Sequence, residues 1–425
     1  MNIRKLWIFI QILFNKKARN SIWRIHKRMG SDDSYSADRA SRSLWSFLCH
    51  ERIIRFSNVY VVNSFFPPFP GKAFEQIFNG TSHMDKELFK NYKIGKKVAP
   101  LSCYIAATNS CPYHCWHCSA ADRKLNDNMS TGALKSLIRD LQDMGTAIIG
   151  FTGGEPLLRN DLVEIISSID DRSVSLVFSS GYDLTNKKAQ ELKKAGLFGF
   201  AVSIDHYDPD EHDKIRGYKG AFDKAIEAVK ASLGAGLFTI IQTVATKGLL
   251  NTGGIWKIID LGKSLGVHEI RIMEPIKSGK LIGEKGVFLN DDERKQLISI
   301  HKKGNKIRGY PIITTFAHFE SPDQFGCGAG VHHSYIDASG NLYPCDFVPM
   351  SFGNIKEESI KSLWSKMNKA MGGRPKLNCF MQQYSNRIKE VSDGSFPLSP
   401  EVSQKICKNC IADKGRLPKF FEIMN

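Results

Sequence analysis

The chain has 425 residues, 42% of them apolar and 24% charged, and a formal net charge of +16. That length allows two or three domains around a large core, and the composition holds no low-complexity tract and no internal repeat. Ten cysteines without a cleavable secretory signal argue against an oxidising compartment, and all but Cys49 and Cys103 lie at Cys111–Cys118 or from Cys327 onward. Such grouping predicts metal sites in a reducing cytoplasm, with Cys49 and Cys103 as plain buried thiols.

Residues 1–98 read as an N-terminal extension. Its first 30 residues carry eight Lys and Arg and no acid, half of the net charge. Nucleic acid, anionic lipid and an acidic peptide all suit a basic chain, and charge alone does not separate them. The apolar run Leu6–Phe14 falls well short of the roughly 20 residues that span a bilayer. Lys16 and Lys17 stand where a signal-peptide cleavage site would need small residues. Two readings stay open: a peripheral membrane contact through residues 1–28, basic side chains against lipid phosphates, or a helix docked on the protein through Leu6, Ile10 and Leu13. A helix is expected over residues 36–54, a strand over Asn58–Val62, a rigid loop over Phe65–Gly71 and a second helix through Phe78.

From residue 99 to 315 the pattern alternates between strand and helix. Strands are predicted at Cys103–Ala107, Ala147–Phe151, Val174–Ser179, Gly199–Ile204, Phe238–Ala245 and Glu269–Met273. Helices are predicted at Gly132–Met144, Leu162–Ile169, Lys187–Ala195, Ala221–Ala235 and Ile255–Leu265. Six such units imply an α/β fold, a partial (β/α)6 TIM-like barrel, with its chemistry at the C-terminal ends of the strands. Residues 316–425 form a small Cys-rich C-terminal domain, rich in Gly and Pro and poor in periodicity, for which a bound metal centre would supply the missing core.

Two loops carry the chemistry. After the first strand, Cys111, Cys115 and Cys118 are spaced Cys-x3-Cys-x2-Cys, close enough to grip one face of a 4Fe–4S cube and leave one iron open. After the second strand comes Gly153-Gly154-Glu155-Pro156, whose glycines let backbone approach a ligand and whose carboxylate is suited to an ammonium group. Zinc is the competing occupant of the cysteine triplet, with His114 or His117 as further ligand.

Placed after consecutive strands, these motifs resemble those of the radical S-adenosylmethionine superfamily. The resemblance implies that S-adenosyl-L-methionine chelates the open iron, and that one electron cleaves it to methionine and a 5′-deoxyadenosyl radical that abstracts hydrogen from a substrate. It implies cofactor contacts at Gly153, Gly154 and Glu155, at Ser203 and Arg216, and at His117 near the adenine. A guanidinium suits a carboxylate because its donors form a fork. Ser179 and Asp205 read equally well as capping or turn residues.

The run from Cys327 through Gly340-Asn-Leu-Tyr-Pro-Cys345 to Cys407 and Cys410 resembles SPASM/twitch iron–sulfur extensions. The resemblance implies one auxiliary 4Fe–4S cluster, held by Cys327, Cys345 and two or more of Cys379, Cys407 and Cys410. The alternative is a zinc knot of Cys327, Cys345, Cys407 and Cys410 with Cys379 spare. Asp346 reads as a substrate-side base or a turn former.

The expected function is a radical enzyme of the oxidoreductase or maturase kind, fed by a donor such as flavodoxin or ferredoxin. Its substrate is a precursor peptide or a lipid or other small molecule, and its place the cytoplasm, at the membrane if the first 28 residues hold it there. The alternative is a non-enzymatic iron–sulfur carrier or redox sensor, which would want fully ligated clusters. No aromatic–basic platform marks a nucleic-acid site.

Overall fold

Alternation of apolar strands with amphipathic helices builds the centre of this protein. The computed structural model describes residues 3–29, 42, 45–78, 97–121, 128–392, 394–410 and 416–424. Helices α1 (Ile3–Phe14) and α2 (Lys16–Met29) come first, then a hairpin of β1 (Ile54–Phe56) and β2 (Val59–Val61). The main strands follow as β3 (Ser102–Thr108), β4 (Ile148–Gly153), β5 (Val174–Ser179), β6 (Gly199–Ser203), β7 (Phe238–Val244), β8 (Glu269–Met273), β9 (Ile312–Thr315), β10 (His333–Ile336) and β11 (Leu342–Tyr343). They form one sheet in the order β11-β10-β3-β4-β5-β6-β7-β8-β9, parallel except for β11. Its outer strands β9 and β11 do not pair with each other, so the barrel is incomplete.

All six predicted strands are present. Within this sheet three short ones were not anticipated: β9, whose buried Thr314 and Thr315 mask its apolar signal, and β10 and β11, which extend the sheet from beyond residue 315. Period-two alternation sorts the strand side chains. Ile105, Ile149, Phe151 and Val177 pack outward against helical Leu134, Ile138 and Leu141. Tyr104, Ile148, Leu176, Phe178, Phe238 and Ile240 face the interior, where Val61 of the hairpin joins them.

The predicted helices are found within a few residues of their expected ends, and caps explain where they begin. The Ser130 hydroxyl accepts from the Ala133 amide ahead of Thr131–Met144, and Asn290 and Glu293 form a capping box at Asp291–Gly304, a helix that was not anticipated.

The extension departs from expectation. Of the helix expected over 36–54, residues 42 and 45–48 are helical, Ile54 opens a strand instead, and 30–41 and 43–44 lie outside the described residues. Long-range partners capture the intervening residues. Buried Glu51 accepts from His301 at 2.8 Å, and the Arg52 guanidinium donates to the carbonyls of Gly304, Asn305 and Ile307 past the end of the Asp291–Gly304 helix. A cation there complements the helix dipole. Phe56 packs on Phe198, Phe238 and His268, at the N-terminal ends of their strands. The hairpin region thus covers the end of the barrel opposite the motif loops. The second helix is short, Lys72–Gln76, and its buried Glu75 accepts from Ser21 and Arg24 of α2.

The Cys-rich region has more regular structure than its sequence suggested: helices Ile360–Ala370, Phe380–Glu390 and Pro400–Cys410. Trp364, Met367, Phe380 and Ile388 supply the core that low periodicity seemed to deny it.

Glu269, at the start of β8, accepts from the amide and hydroxyl of Ser64 at 2.8 and 2.9 Å, and burial pushes its pKa from 4.5 up to about 7. Folding therefore favours the protonated form, and the wild type loses stability as pH rises from about 4.5 through about 7. Glu269→Gln removes this loss. The stability of the variant relative to wild type should rise across that window, by on the order of 3 kcal/mol, and level off above it. Denaturant melts at several pH values check this; a difference independent of pH refutes it.

Candidate active site

Two loops at the C-terminal ends of β3 and β4 must touch for the site to exist. The Gly154 amide donates to the Thr108 carbonyl and the Glu155 amide to the Ser110 carbonyl, each at 2.8 Å. Gly153 has φ +116, and a Cβ on Gly154 would sit 2.1 Å from the Ser110 carbonyl oxygen. Glycine is required because the cysteine loop lies directly on this turn.

The cavity beneath has a volume of about 550 Å³ and is lined by Cys111, Cys115 and Cys118 with Gly153, Gly154 and Glu155. Ser203, Arg216 and His117 line it too, so every residue expected for the first cluster and its cofactor faces one space. Cys111 is exposed and the other two thiols half-buried. Burial above all, with smaller contributions from the neighbouring Glu155, Cys115 and Cys118, raises the Cys111 pKa to about 11. Three crowded thiolates call for a cationic group between them, which fits an iron–sulfur cluster.

Glu155 is more engaged than its sequence context suggested. Its buried carboxylate accepts from the Leu157 amide, the Ser179 and Ser180 hydroxyls and the Ser180 amide. Four donors fill the lone-pair positions of a carboxylate. Ser179, read from sequence as cap or ligand, is thereby a partner of Glu155. Arg216 is buried as well and pairs with Asp205 at 2.6 Å, while its Nη1 lies 3.6 Å from the Cys115 Sγ. Asp205 is anchored in turn by the Val244 amide at 2.9 Å, and His117 stands 3.5 Å from it. Burial lowers the His117 pKa to about 4, so its ring is neutral.

Sequence reasoning missed a third grip on the cysteine loop. The Lys280 amide donates to the Cys118 carbonyl and its ammonium to the Cys115 carbonyl. Gly279, at φ +53, passes so close that a Cβ would lie 2.2 Å from the Cys118 carbonyl oxygen. A lone Gly-Lys pair carries no motif that could have revealed this.

A second cavity, of about 190 Å³, abuts the first through Thr152, Phe178, Gln242, Met273 and Asp346, which line both. Cys327, Cys345 and Cys379 line it, and Cys379 is a hydrogen-bonding neighbour of Cys327. Cys379 is therefore not spare, as the zinc-knot reading required. Cys407 is not on that lining: its buried Sγ contacts Met371 Sδ at 3.5 Å. The side chain of Cys410, at the end of its helix, lies outside the described residues. Asp346 engages site side chains, the Cys345 thiol at 3.2 Å and His333 at 3.3 Å.

Comparison with known proteins agrees with this arrangement. Residues 105–252 match the Radical SAM superfamily, and residues 327–411 match SPASM, an iron–sulfur cluster-binding domain. The chain is 28% identical over 284 residues to an AdoMet-dependent heme synthase of Nitratidesulfovibrio vulgaris, covering 61% of this chain and 77% of that protein. It is 26% identical over 283 residues to a PqqA peptide cyclase of Rhizobium meliloti, covering 64% and 75%. The fold is similar to Streptococcus suis SuiB, solved with its precursor peptide SuiA, at a TM-score of 0.57 and 18% identity over 74% of this chain and 79% of that one.

Gly154→Ala tests the contact between the loops. Relief of the clash should cost about 1–3 kcal/mol of stability and strip iron from the first site while the auxiliary site keeps its own. Iron counts and melting curves on the reconstituted variant check it; unchanged iron content refutes it.

Proposed function

Because the chain is a radical S-adenosylmethionine enzyme with a SPASM auxiliary-cluster domain, we propose that it abstracts hydrogen from a substrate seated in the inner cavity, between the two cysteine sets. Cys111, Cys115 and Cys118 would hold the iron–sulfur cluster and the residues around Gly153–Gly154 the S-adenosylmethionine, and the pair would supply the radical chemistry that breaks an unactivated C–H bond. The observation that carries this reading is the shared wall: Thr152, Phe178, Gln242, Met273 and Asp346 line both cavities. No competing observation supports a mere electron carrier.

The chain's own residues do the positioning. The Gly153–Gly154 backbone, Ser203, Arg216 and His117 form the cofactor contacts, and Glu155 braces the turn through Ser179 and Ser180. Arg216, neutralised by Asp205, keeps a donor on the Cys115 sulfur. Phe178 and Met273 keep water from the boundary between the cavities. One auxiliary cluster, held by Cys327, Cys345, Cys379 and a further ligand, would close the far side. A flavodoxin or ferredoxin delivers the electron where Cys111 is exposed, a basic chain being attractive to such acidic proteins.

The substrate we favour is a small molecule or lipid met at a membrane surface. No helix among the described residues is long and apolar enough to cross a membrane. The helices α1 and α2 dock through Ile8, Ala18, Ser21 and Ile25, not through Leu13, which is exposed; Ile10 is half-buried and the Leu6 side chain lies outside the described residues. Outward they present Trp7, Phe14 and Trp23, at 59%, 81% and 61% exposure, beside exposed Lys16 and Lys17. Such a face suits an anionic lipid interface. A precursor peptide is the second reading, supported by relatives whose names specify peptides.

Anaerobically reconstituted protein given dithionite and S-adenosylmethionine should form 5′-deoxyadenosine, and Cys115→Ala should abolish it. Equal product from the variant overturns the enzyme reading. For the surface, the full chain should co-sediment with phosphatidylserine-containing vesicles, and Trp7→Ser with Trp23→Ser should reduce binding several-fold; binding unaffected by the substitutions refutes the contact.

A further inference from the structure

At the inner cavity stands a buried cation for which the radical chemistry above has no use. Arg271 of β8 is 2% exposed and lines the space that also holds Cys327, Cys345 and Cys379. Its guanidinium carbon lies 4.2 Å from the Phe65 ring centre and 5.0 Å from those of Phe178 and Phe316. Nη1 donates to the Tyr104 hydroxyl at 3.2 Å and to Ser64 Oγ at 3.4 Å. The buried Nε has no hydrogen-bond partner, Nη2 makes no hydrogen bond, and no carboxylate lies within 4.0 Å of the group among the described residues.

A buried charge is ordinarily paired, because an uncompensated one costs several kcal/mol. Aromatic faces offset part of that cost and hold the guanidinium flat, but they do not satisfy its free donors. Glu269, two residues along the same strand, is held by Ser64 and half-protonated near neutrality, since its pKa stands at about 7. Glu269, through the Ser64 hydroxyl that both share, and Glu320 on the cavity wall attract the guanidinium without touching it, which leaves Nε and Nη2 for an anion that arrives in the cavity.

We propose that the inner cavity takes a substrate bearing a carboxylate on an apolar or aromatic body, with Arg271 as the anchor of the carboxylate. The free Nε and Nη2 edge matches the two oxygens of a carboxylate, and Phe65, Phe178 and Phe316 receive the body. The carboxyl groups of Glu320 and Asp346 line the same space and act against any anion there, twice as strongly against a dianion such as phosphate as against a carboxylate, so a single charge suits the site. Phe65 comes from the N-terminal extension, so that segment is part of the recognition surface. The assignment rests on the proposed function and names the chemical class of its substrate.

The test uses reconstituted full-length holoenzyme and two probes, 4-phenylbutyrate and its neutral amide, measured by anaerobic titration calorimetry or ligand-observed NMR. The acid should bind in the millimolar range and at least tenfold more tightly than the amide, and Arg271→Met should abolish that preference. The wild-type comparison of acid with amide decides the matter even if the variant fails to fold. Equal binding of the two probes, no binding of either, or a preference that survives in folded Arg271→Met overturns the assignment. Formation of 5′-deoxyadenosine is measured on the same wild-type sample. Cofactor cleavage without acid preference overturns the carboxylate anchor alone, whereas absence of cleavage overturns the reading beneath it.

Discussion

Everything at the active end depends on one close approach, the Gly153–Gly154 turn lying directly under the cysteine loop. Two amide-to-carbonyl bonds of 2.8 Å tie the loops, and no side chain larger than hydrogen fits between them at Gly154. The loop of Gly279 and Lys280 grips the cysteine segment from the side with the same device, a glycine against a carbonyl and an amide donated to one. The cysteine loop is thus held mainly through its backbone groups, with the Lys280 ammonium on the Cys115 carbonyl as the side-chain grip. Ionic support arrives from one further layer out, where Val244 fixes Asp205, Asp205 fixes Arg216, and Arg216 reaches Cys115.

Much of this was legible in the sequence because local spacing encodes it. Cys111, Cys115 and Cys118 sit within eight residues of one another, and the glycine turn follows a strand of strongly apolar pattern. What could not be read depends on side chains brought together from afar. Glu155 looks like a free carboxylate in sequence, yet Ser179 and Ser180 of the next strand end occupy it. Cys379 seemed expendable beside the Cys407 and Cys410 pair, but the helix it precedes turns it onto the cavity of Cys327 and Cys345. Strand β9 was hidden by its buried threonines, whose polarity disguises a fully enclosed strand.

The N-terminal extension was the least legible region, since no motif announces its part in the fold. Its role follows from where Phe65 lies, against Arg271 and Phe319 inside the barrel. Phe47, Phe66 and Phe325 continue that aromatic packing toward the Cys-rich region. An enzyme of radicals gains from such walls, because a rigid apolar surround offers few alternative routes for a reactive species. The extension supplies one side of it and the Cys-rich region another, around a sheet whose strands supply the rest.

That arrangement also sets an order of events during synthesis. Glu51 lies 250 residues ahead of His301, its hydrogen-bonding partner. At about 5–20 residues per second, the aromatic segment around it leaves the ribosome some tens of seconds before its barrel-side partners exist. During that interval Phe47, Phe65 and Phe66 have none of the rings of Phe316, Phe319 and Phe325 to pack on. The contacts that close the barrel floor are therefore among the most non-local of the described residues, and they cannot form until the chain has grown past Phe325.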